Sequence, residues 1–252
     1  MAPKLTLSVV SHGQGDLVDS LLADIADYVT TPLRVILTSN LPEPDERWSS
    51  RNYPFDIEVI RNPLRKGFGA NHNAALARSS TDLFCVLNPD IRLRSDPFPV
   101  LATQLDDSIT GVVAPVVVGP DLSPEDHARE FPSVFALVAK ALGRRQYTPP
   151  PVGHAVYHPD WVAGMFMLFR SEILRSVGGF DESYFLYYED VDLCARLRER
   201  GLEITVCSAV SVVHAARRES RRSLRYGSWH LRSALRFLAS QPRIALGLRR
   251  KH

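Results

Sequence analysis

The chain has 252 residues, enough for one large domain or two small ones, and its 45% hydrophobic and 23% charged residues are typical of a soluble globular protein. Its three cysteines share no short spacing, which favours buried thiols in a reducing compartment over a disulfide framework or a zinc site. No apolar run approaches the roughly 20 residues of a membrane span, and the first residues read as a strand rather than a secretory signal, so we predict a cytoplasmic protein.

Strand and helix patterns alternate along the first half of the chain. This alternation predicts an α/β fold with a mostly parallel central sheet flanked by helices. In such sheets ligands bind beyond the carboxyl ends of the strands. The predicted strands cover 5–11, 33–40, 56–62, 82–90 and 111–118, and the predicted helices cover 16–29, 69–80, 97–105 and, less regularly, 133–142. Further on, a strand and a helix follow within 161–174, and two strand-like pieces within 203–214.

The order of these patterns divides the chain. Residues 1–118 form a first half of alternating elements, and the proline-rich stretch 119–160 predicts a flexible loop region of the kind that forms lids or binding loops. Residues 161–216 restore regular structure and complete a domain of residues 1–216. Residues 217–252 then predict a basic helical extension at the carboxyl end.

The charge is unevenly distributed. Residues 215–252 hold ten arginines and one lysine against one glutamate, a net charge of +10, so the rest of the chain carries −8 of the total of +2. A basic tail on an acidic body indicates an anionic partner, such as phospholipid headgroups or nucleic acid. Its leucines share one helical face with arginines beside them, which fits a helix lying on a membrane surface or, equally, one packed on the domain. These leucines are Leu224, Leu231, Leu235 and Leu238.

Two residues at strand ends are candidates for binding a metal ion. Asp90 follows the apolar strand that ends in "CVLNPD", and His214 ends the last apolar strand. One carboxylate together with substrate phosphates commonly holds Mg²⁺, and imidazole with carboxylate suits Mn²⁺ or Mg²⁺. The alternatives are an ordinary Asn-Pro-Asp turn and a structural histidine.

The stretch "RNPLRKGFGANHNAAL" (61–76) is a candidate anion-binding loop. Gly67 permits close backbone approach, and the helix that follows presents its amino end to an anion. Arg61 adds positive charge, and Asn71 can hydrogen-bond a base or a sugar. The stretch lacks the Gly-Lys-Ser/Thr of a P-loop, and an ordinary joint between loop and helix explains it equally well.

The stretch "YFLYYEDVDLC" (184–194) places four aromatic residues against three acids. Acids at a helix start are stabilised by the helix dipole by about 0.3–1 kcal/mol each, which accounts for one or two of them. A carboxylate beside an aromatic wall loses solvation, which raises its pKa and makes it a better base near neutral pH. The stretch therefore predicts that one of its acids, Glu189 or Asp190, is a general base. Asp192 is predicted to have a structural role at the helix start.

The segment "WVAGMFMLFRSEILRSVGGFDESYFLYYEDVDLCARLRERG" (161–201) resembles the acceptor half of the family 2 glycosyltransferases, which have the GT-A fold. The spacing of "NPLRKGFGANHNAAL" before "LNPD" is similar to that family's nucleotide half. The resemblance spans about residues 5–216, and "LNPD" in place of Asp-x-Asp is typical of the bacterial rhamnosyltransferase-like branch. It implies a GT-A, Rossmann-like sheet and transfer of a sugar from a nucleotide donor.

The resemblance also implies roles for the charged candidates. Asp190 matches the family's catalytic base, with Glu189 as its rival. Asp90 matches the last residue of Asp-x-Asp and would bind the donor diphosphate and a divalent metal, Mg²⁺ or Mn²⁺, to which His214 would also contribute. Asn88 stands at the first position of that motif, so the usual pair of carboxylates is reduced to one.

Further residues fall at positions where the family binds its substrates. The sequence "LTSN" replaces the family's Asp-Asn pair after the second strand, so Asn40 would substitute in base recognition. The residues that would lie at the nucleotide are Ser11, Asn40, Arg61, Gly67, Asn71, Asn88 and Asp90. Those that would face the acceptor or the sugar are Trp161, Gly164, Tyr187 and Tyr188.

The predicted reaction is an inverting displacement by an acceptor hydroxyl, in the synthesis of bacterial surface polysaccharide. The resemblance implies dTDP-rhamnose as the first choice of donor and a UDP-sugar as the second, with a glycan or lipid-linked acceptor and a site at the inner membrane face. A nucleotidyltransferase is an alternative, although "SHGQGD" is a poor match for its basic glycine-rich loop. A non-catalytic nucleic-acid binder is another, although the positive charge is confined to the tail.

Overall fold

A computed structural model describes residues 4–43, 48, 52–134, 155–215 and 224–241, with the backbone alone given for 224–226. Most of the predicted helix at 133–142 lies outside these residues. In the described part, one large sheet has strands in the order β3-β2-β1-β4-β10-β6-β11-β5, with β8 beside β11, and β7 and β9 form a separate pair. The strands are β1 Leu5–Ser11, β2 Leu33–Ser39, β3 Asp56–Arg61, β4 Leu83–Leu87, β5 Ile91–Arg92, β6 Thr110–Val118, β7 Ala128–Arg129, β8 Val156–Tyr157, β9 Trp161–Val162, β10 Phe166–Arg170 and β11 Glu203–His214.

The sheet combines a parallel half with a mixed half. Strands β3, β2, β1 and β4 run parallel, so their carboxyl ends meet at one edge. Strand β10 is antiparallel to both of its neighbours, β4 and β6, whereas β11 is parallel to β6. Six of the nine strands, β1 to β4, β6 and β11, therefore run in one direction, which confirms the predicted α/β fold with a mostly parallel sheet; β10 and the short strands β5 and β8 run the other way.

Strand β11 joins the two candidate metal ligands. Its pairing with β6 is interrupted between Cys207 and Ser211, which explains why the sequence reads as two strand-like pieces. Beyond this irregularity His214 lies opposite Ile91 of the short strand β5. The neighbouring residue Ala215 donates its backbone N–H to the carbonyl of Asp90 at 2.8 Å. The last strand therefore ends beside the turn that follows β4.

Helices cover both faces of the sheet. They are α1 Gly15–Tyr28, α2 Phe68–Arg78, α3 Phe98–Gln104, α4 Ser171–Ser176, α5 Glu189–Glu199 and α6 Leu224–Ser240. Because side chains alternate along a strand, Cys85 of β4 packs in the cluster with α1 and α3, whereas its neighbour Phe84 packs in the cluster with α2, α4 and α5. A third cluster joins α5 to α6 through Tyr188 and Phe237.

The described helices include none that is both long and apolar enough to span a bilayer.

Candidate active site

The first part of the site is a contact between the two strand ends. The carboxylate of Asp90 lies 3.2 Å from Nε2 of His214, and both side chains are mostly buried. The turn that presents Asp90 is closed by the backbone N–H of Ile91, which donates to the carbonyl of Asn88. Two residues 124 positions apart in the chain are thereby brought together, as the sequence predicts.

A second carboxylate, Glu125, holds the other side of the His214 ring. Its Oε2 lies 2.6 Å from Nδ1 of His214. Burial by itself lowers the pKa of the imidazole, but hydrogen bonds and charges from Asp90 and Glu125 outweigh burial and raise it to about 9. Sequence reasoning missed Glu125 because it lies in the proline-rich stretch, where no strand or helix pattern indicates which acid faces the site.

The residues at this end suit a divalent cation that is shared with substrate phosphates. The second oxygen of Asp90, Oδ1, is buried and has no hydrogen-bond partner among the described residues, although a buried carboxylate oxygen normally has one. Carboxylate and imidazole are suitable ligands for Mn²⁺ or Mg²⁺. Within the described ranges no three His, Cys, Asp or Glu side chains converge as a complete metal site, so phosphate and water oxygens would supply the remaining ligands.

The second part of the site is the start of α5. Asp190 is partly buried, and it accepts hydrogen bonds from two backbone groups, the N–H of Gly164 at 3.0 Å and that of Val191 at 2.8 Å. Loss of solvation raises the pKa of Asp190, and these backbone hydrogen bonds offset only part of that rise. Asp190 is therefore a fixed carboxylate with a raised pKa, which are the properties of a general base.

Glu189, the neighbour of Asp190, is more deeply buried. Its side chain is 4% exposed, and its Oε2 has no hydrogen-bond partner within the described part of the chain. Burial, followed by the charge of Asp190, raises the pKa of Glu189 well above its ordinary value. Both carboxyls of this pair therefore have raised pKa values, and Glu189 is the more deeply buried of the two.

Asp192, the third acid, has a structural contact. Its carboxylate accepts a hydrogen bond from Arg196, one turn along α5, at 2.8 Å. Arg196 also donates to the carbonyl of Val177, which ties α5 to the end of α4. This geometry agrees with the structural role that the sequence predicts for Asp192.

Backbone hydrogen bonds connect the two parts of the site. Asn88 donates its N–H to the carbonyl of Met165 at 2.9 Å, and the adjacent residue Gly164 donates to Asp190. Ala163 in turn donates to the carbonyl of His127, two residues beyond Glu125. The stretch 125–129 thus lies between the Asp90 end and the Asp190 end, rather than standing off as an independent lid.

Gly164 is required for close packing beside Asp190. A β-carbon at this position would lie 2.8 Å from the ring of Phe68, below any ordinary contact distance. Trp161, at the start of β9, is partly buried; it donates its indole N–H to the carbonyl of Glu130, and the guanidinium of Arg129 lies 5.7 Å from the centre of its ring. Gly164 lies on the β9–β10 connection and Trp161 begins β9, and the acceptor-facing role of both residues stays a prediction.

The aromatic residues before Asp190 have unusual backbone geometry. Tyr187 and Tyr188 both adopt left-handed conformations, with φ of 70° and 69°. Tyr188 is 7% exposed, and its ring packs against His230 and Phe237 of α6, with centres 5.4 and 5.7 Å apart. Helix α6 thus covers much of the Tyr188 ring, and the sugar-facing role of Tyr188 stays a prediction. Tyr187 is only half-buried and lies 5.4 Å from His230, centre to centre.

The polar residues at the ends of β1 to β3 form a network around the 62–67 loop. Asn40 is buried, and its amide is fully engaged by protein groups: it donates to Lys66 and pairs with His12, while its oxygen accepts from Asn62 and the Lys66 N–H. Asn40 therefore shapes this loop, and its role in base recognition stays a prediction.

Asn71 and Gly67 fix the same loop against α2. Asn71 accepts from Asn62 at 2.6 Å and donates to the carbonyl of Gly67 at 2.9 Å. A β-carbon on Gly67 would lie 2.8 Å from the carbonyl oxygen of Phe185, so the glycine allows the loop to pack on the segment that precedes Asp190. Arg61 is exposed at the end of β3.

Ser11 ends β1 at the same edge and has a partner that the sequence did not indicate. Its hydroxyl donates to the carboxylate of Glu43, which also accepts the backbone N–H of Gly13 at 3.2 Å. The register places Ser11 beside Ser39, and Ser39 beside Arg61. The predicted nucleotide residues thus line the carboxyl edge of the parallel strands.

Comparison with known proteins gives a consistent result. A family model described as "Glycosyltransferase like family 2" matches residues 3–228. The rhamnosyltransferase WbbL of Escherichia coli K12 is 28% identical over 249 residues, which cover 92% of this chain and 91% of that protein. The N-acetylglucosaminyl-diphospho-decaprenol L-rhamnosyltransferase of Mycobacterium tuberculosis is 26% identical over 271 residues, which cover 96% of this chain and 86% of that protein.

Solved structures support the fold. The structure of GalNAc-T7 with UDP, GalNAc and Mn²⁺ matches 94% of this chain with a TM-score of 0.74 at 14% identity, although the match spans only 48% of that chain. The mannosyltransferase PcManGT of Pyrobaculum calidifontis, in complex with GDP-Man and Mn²⁺, matches 96% of this chain with a TM-score of 0.67 at 16% identity and spans 65% of that chain.

Proposed function

Because the chain belongs to glycosyltransferase-like family 2, in its rhamnosyltransferase-like branch, it is a glycosyl-transferring enzyme, and we propose that it catalyses an inverting transfer with Asp190 as the base. The observation that carries this proposal is the position of Asp190. The carboxylate of Asp190 has a raised pKa and is fixed by the N–H of Gly164. Met165, the residue after Gly164, is hydrogen-bonded to the turn that bears Asp90.

In the proposed reaction the acceptor binds with one hydroxyl beside Asp190. The ionised carboxylate takes the proton from this hydroxyl while the oxygen attacks the anomeric carbon of the donor sugar. The bond from that carbon to the diphosphate oxygen breaks, and the nucleoside diphosphate leaves. General-base catalysis of this kind contributes about 10²–10⁴-fold to rate. A single displacement inverts the configuration at the anomeric carbon.

At the donor end, Asp90 and, once its ring has lost the extra proton, His214 would hold a divalent cation together with the diphosphate. Such a cation, when bound, neutralises negative charge that develops on the leaving diphosphate. Glu125 would orient the His214 ring through Nδ1, leaving Nε2 toward Asp90 and the donor. A carboxylate behind a metal-binding histidine is a common arrangement, because it fixes the ring and its tautomer. With Asn88 in place of a second carboxylate, the site would depend more strongly on Asp90.

We propose dTDP-rhamnose as the donor, with a UDP-sugar as the second choice, and a lipid-linked diphosphosugar or a glycan as the acceptor. The support is the similarity to two rhamnosyltransferases, one of which is named for a decaprenol-linked acceptor. The place of action would be the inner face of a bacterial membrane, in surface polysaccharide synthesis. Neither a nucleotidyltransferase nor a nucleic-acid binder is favoured by the family match.

The proposal is tested in two steps. In a thermal-shift screen of nucleotide sugars with and without Mn²⁺ or Mg²⁺, dTDP-rhamnose with metal should raise the melting temperature most, since a ligand that binds only the folded state stabilises it. The selected donor is then incubated with a lipid-linked diphosphosugar, and the product is identified by mass. A deoxyhexose added to the acceptor supports the proposal; a shift with another donor class, and transfer only from that donor, would replace rhamnose.

A further inference from the structure

Helix α6 packs its inner face on the segment that leads to the catalytic base. Trp229 lies against Phe185 with ring centres 4.8 Å apart, and His230 lies against both tyrosines of the left-handed turn. Ser233 donates its hydroxyl to the carbonyl of Leu186 at 2.9 Å. Every residue from Phe185 to Tyr188 is therefore contacted by a side chain of α6.

This contact bears on catalysis because the segment is strained. Two consecutive non-glycine residues with positive φ, Tyr187 and Tyr188, persist only where surrounding structure holds them. The carbonyl of Tyr188 accepts the N–H of Asp192, so the turn forms the first hydrogen bond of α5. Asp190 lies within this first turn, and its direction depends on the conformation of the two tyrosines.

The outer face of α6 is apolar and basic. Leu231 and Leu235 lie one turn apart and are 61% and 60% exposed. Arg232 and Arg236 are also exposed, and Arg236 lies over the ring of Tyr184 at 5.7 Å. From Leu224 to Gln241 the sequence contains no acidic residue, and residues 215–252 carry a net charge of +10. Exposed leucines beside arginines match the charge and polarity of an anionic lipid surface.

We propose that α6 docks on an anionic phospholipid surface through Leu231, Leu235 and Arg232, and that docking stabilises the Tyr187–Tyr188 turn that positions Asp190. The helix then has two functions, one on each face. Docking of the outer face brings the enzyme to the surface where a lipid-linked acceptor resides. The inner face transmits this docking to the base, since lipid contact restrains the helix whose side chains pack on residues 185–188.

The docking half is tested with the full chain and vesicles, in the absence of donor and acceptor, so its outcome is independent of the proposed reaction. Co-sedimentation is measured with phosphatidylglycerol–phosphatidylcholine vesicles and with phosphatidylcholine vesicles alone. We expect binding to the mixed vesicles that weakens with salt, and little binding to the neutral ones. Equal binding to both, or to neither, overturns the proposal.

A paired substitution identifies the surface. Leu231→Ser with Leu235→Ser should reduce binding to anionic vesicles by about tenfold or more, because two leucines no longer enter the lipid boundary. Ile109→Ser is the matched control, since Ile109 is 46% exposed at the turn before β6. If the leucine variant binds vesicles normally but converts a dimer to a monomer in light scattering, the face is an interface between two copies, and the proposal is wrong.

The coupling half is tested by hydrogen exchange at the amides of residues 184–192. In the wild-type protein, exchange there should slow when anionic vesicles are added, and in the leucine variant it should not change. Ser233→Ala removes the hydrogen bond to Leu186 and should speed this exchange while leaving vesicle binding intact. Vesicle binding by the wild-type protein without any change in exchange at 184–192 would overturn the coupling.

Discussion

The two ends of the site fix their carboxylates in different ways. Asp190 is held by backbone N–H groups of Gly164 and Val191, in a setting whose burial raises its pKa. Asp90 instead faces the side chain of His214, and a second carboxylate, Glu125, lies behind that ring. The first arrangement favours a carboxylate that exchanges a proton, and the second favours one that binds a cation.

This difference follows from where each residue lies in the fold. Asp190 lies in the first turn of a helix that packs against a glycine. Its nearest hydrogen-bond donors are therefore backbone N–H groups. Asp90 lies at the carboxyl edge of the sheet, where β4, β5 and β11 bring together side chains distant in sequence. Substitutions at the two ends should therefore have separable effects. Those at Asp190 should change the rate of transfer, and those at Asp90 should change the affinity for donor and metal.

The largest effect is expected from Asp190→Asn. Transfer should fall by about 10²–10⁴-fold, since the amide cannot accept the proton from the acceptor hydroxyl. Donor affinity, measured by calorimetry, should stay within about twofold, because Asp190 does not face the diphosphate in the proposed mechanism. Asp192→Asn is the control on the same helix; it loses the contact with Arg196 and should lower the melting temperature while keeping the rate. Normal turnover by Asp190→Asn would exclude it as the base.

The next effect is expected from Asp90→Asn. Donor affinity should fall by about 10–100-fold, the range expected for losing a hydrogen-bonded charge, and the response to added Mn²⁺ should disappear. Calorimetry with and without metal measures both quantities. Asn88→Asp provides the opposite change, because it restores a second carboxylate and should tighten Mn²⁺ binding. Unchanged donor affinity in Asp90→Asn would remove Asp90 from the donor site.

Glu125→Gln should weaken Mn²⁺ binding by about 10-fold, at the lower end of what is lost with a carboxylate behind a metal-binding histidine. The amide retains a hydrogen-bond acceptor for the ring but not the charge. Binding can be followed by the electron paramagnetic resonance signal of free Mn²⁺, without any turnover. Asp126→Asn, next in the chain and paired with Arg129 rather than His214, is the matched control. Equal losses in both variants would indicate a general effect of the loop.

The smallest effect is a pH-dependent change in stability. The folded-state pKa of Glu189 lies above its ordinary value of 4.5, so ionisation of this group at higher pH costs stability. Glu189→Gln should therefore raise the melting temperature near neutral pH. This increase in melting temperature should develop as the pH rises from the ordinary pKa of 4.5 toward the raised folded-state pKa of Glu189. Below pH 4.5 the increase should vanish.

Glu199→Gln, at the exposed end of α5, is the control for this series, because it removes a carboxyl that is not buried. A melting temperature of Glu189→Gln that differs from wild type by the same amount at all pH values would contradict a raised pKa of Glu189.

Much of this site could be predicted from the sequence. Asp90 and His214 end apolar strands, and because strand ends of one sheet meet at an edge, their proximity follows from pattern alone. The helix start at Asp190 is likewise marked by a run of acids, which is followed by apolar residues at helical spacing. Local patterns cannot give the direction in which a connection returns, which is why the antiparallel placement of β10 was missed.

Long-range packing, which local sequence patterns do not reveal, determines the surroundings of the other predicted residues. Asn40 has the right residue type for a base contact, yet its amide is used within the protein. Tyr188 is covered by a helix more than 40 positions further on, and an amphipathic pattern does not reveal which face of that helix packs on the domain. In α6 the packed face holds Ala234 and Phe237, whereas two leucines of the predicted stripe, Leu231 and Leu235, point outward.

The most direct test of the mechanism is the anomeric configuration of the product, determined by nuclear magnetic resonance after transfer from a donor of known configuration. A single displacement, with Asp190 taking the proton from the acceptor hydroxyl, predicts inversion at the transferred sugar. Retention of configuration would require two displacements or a different path, and would contradict the role assigned to Asp190.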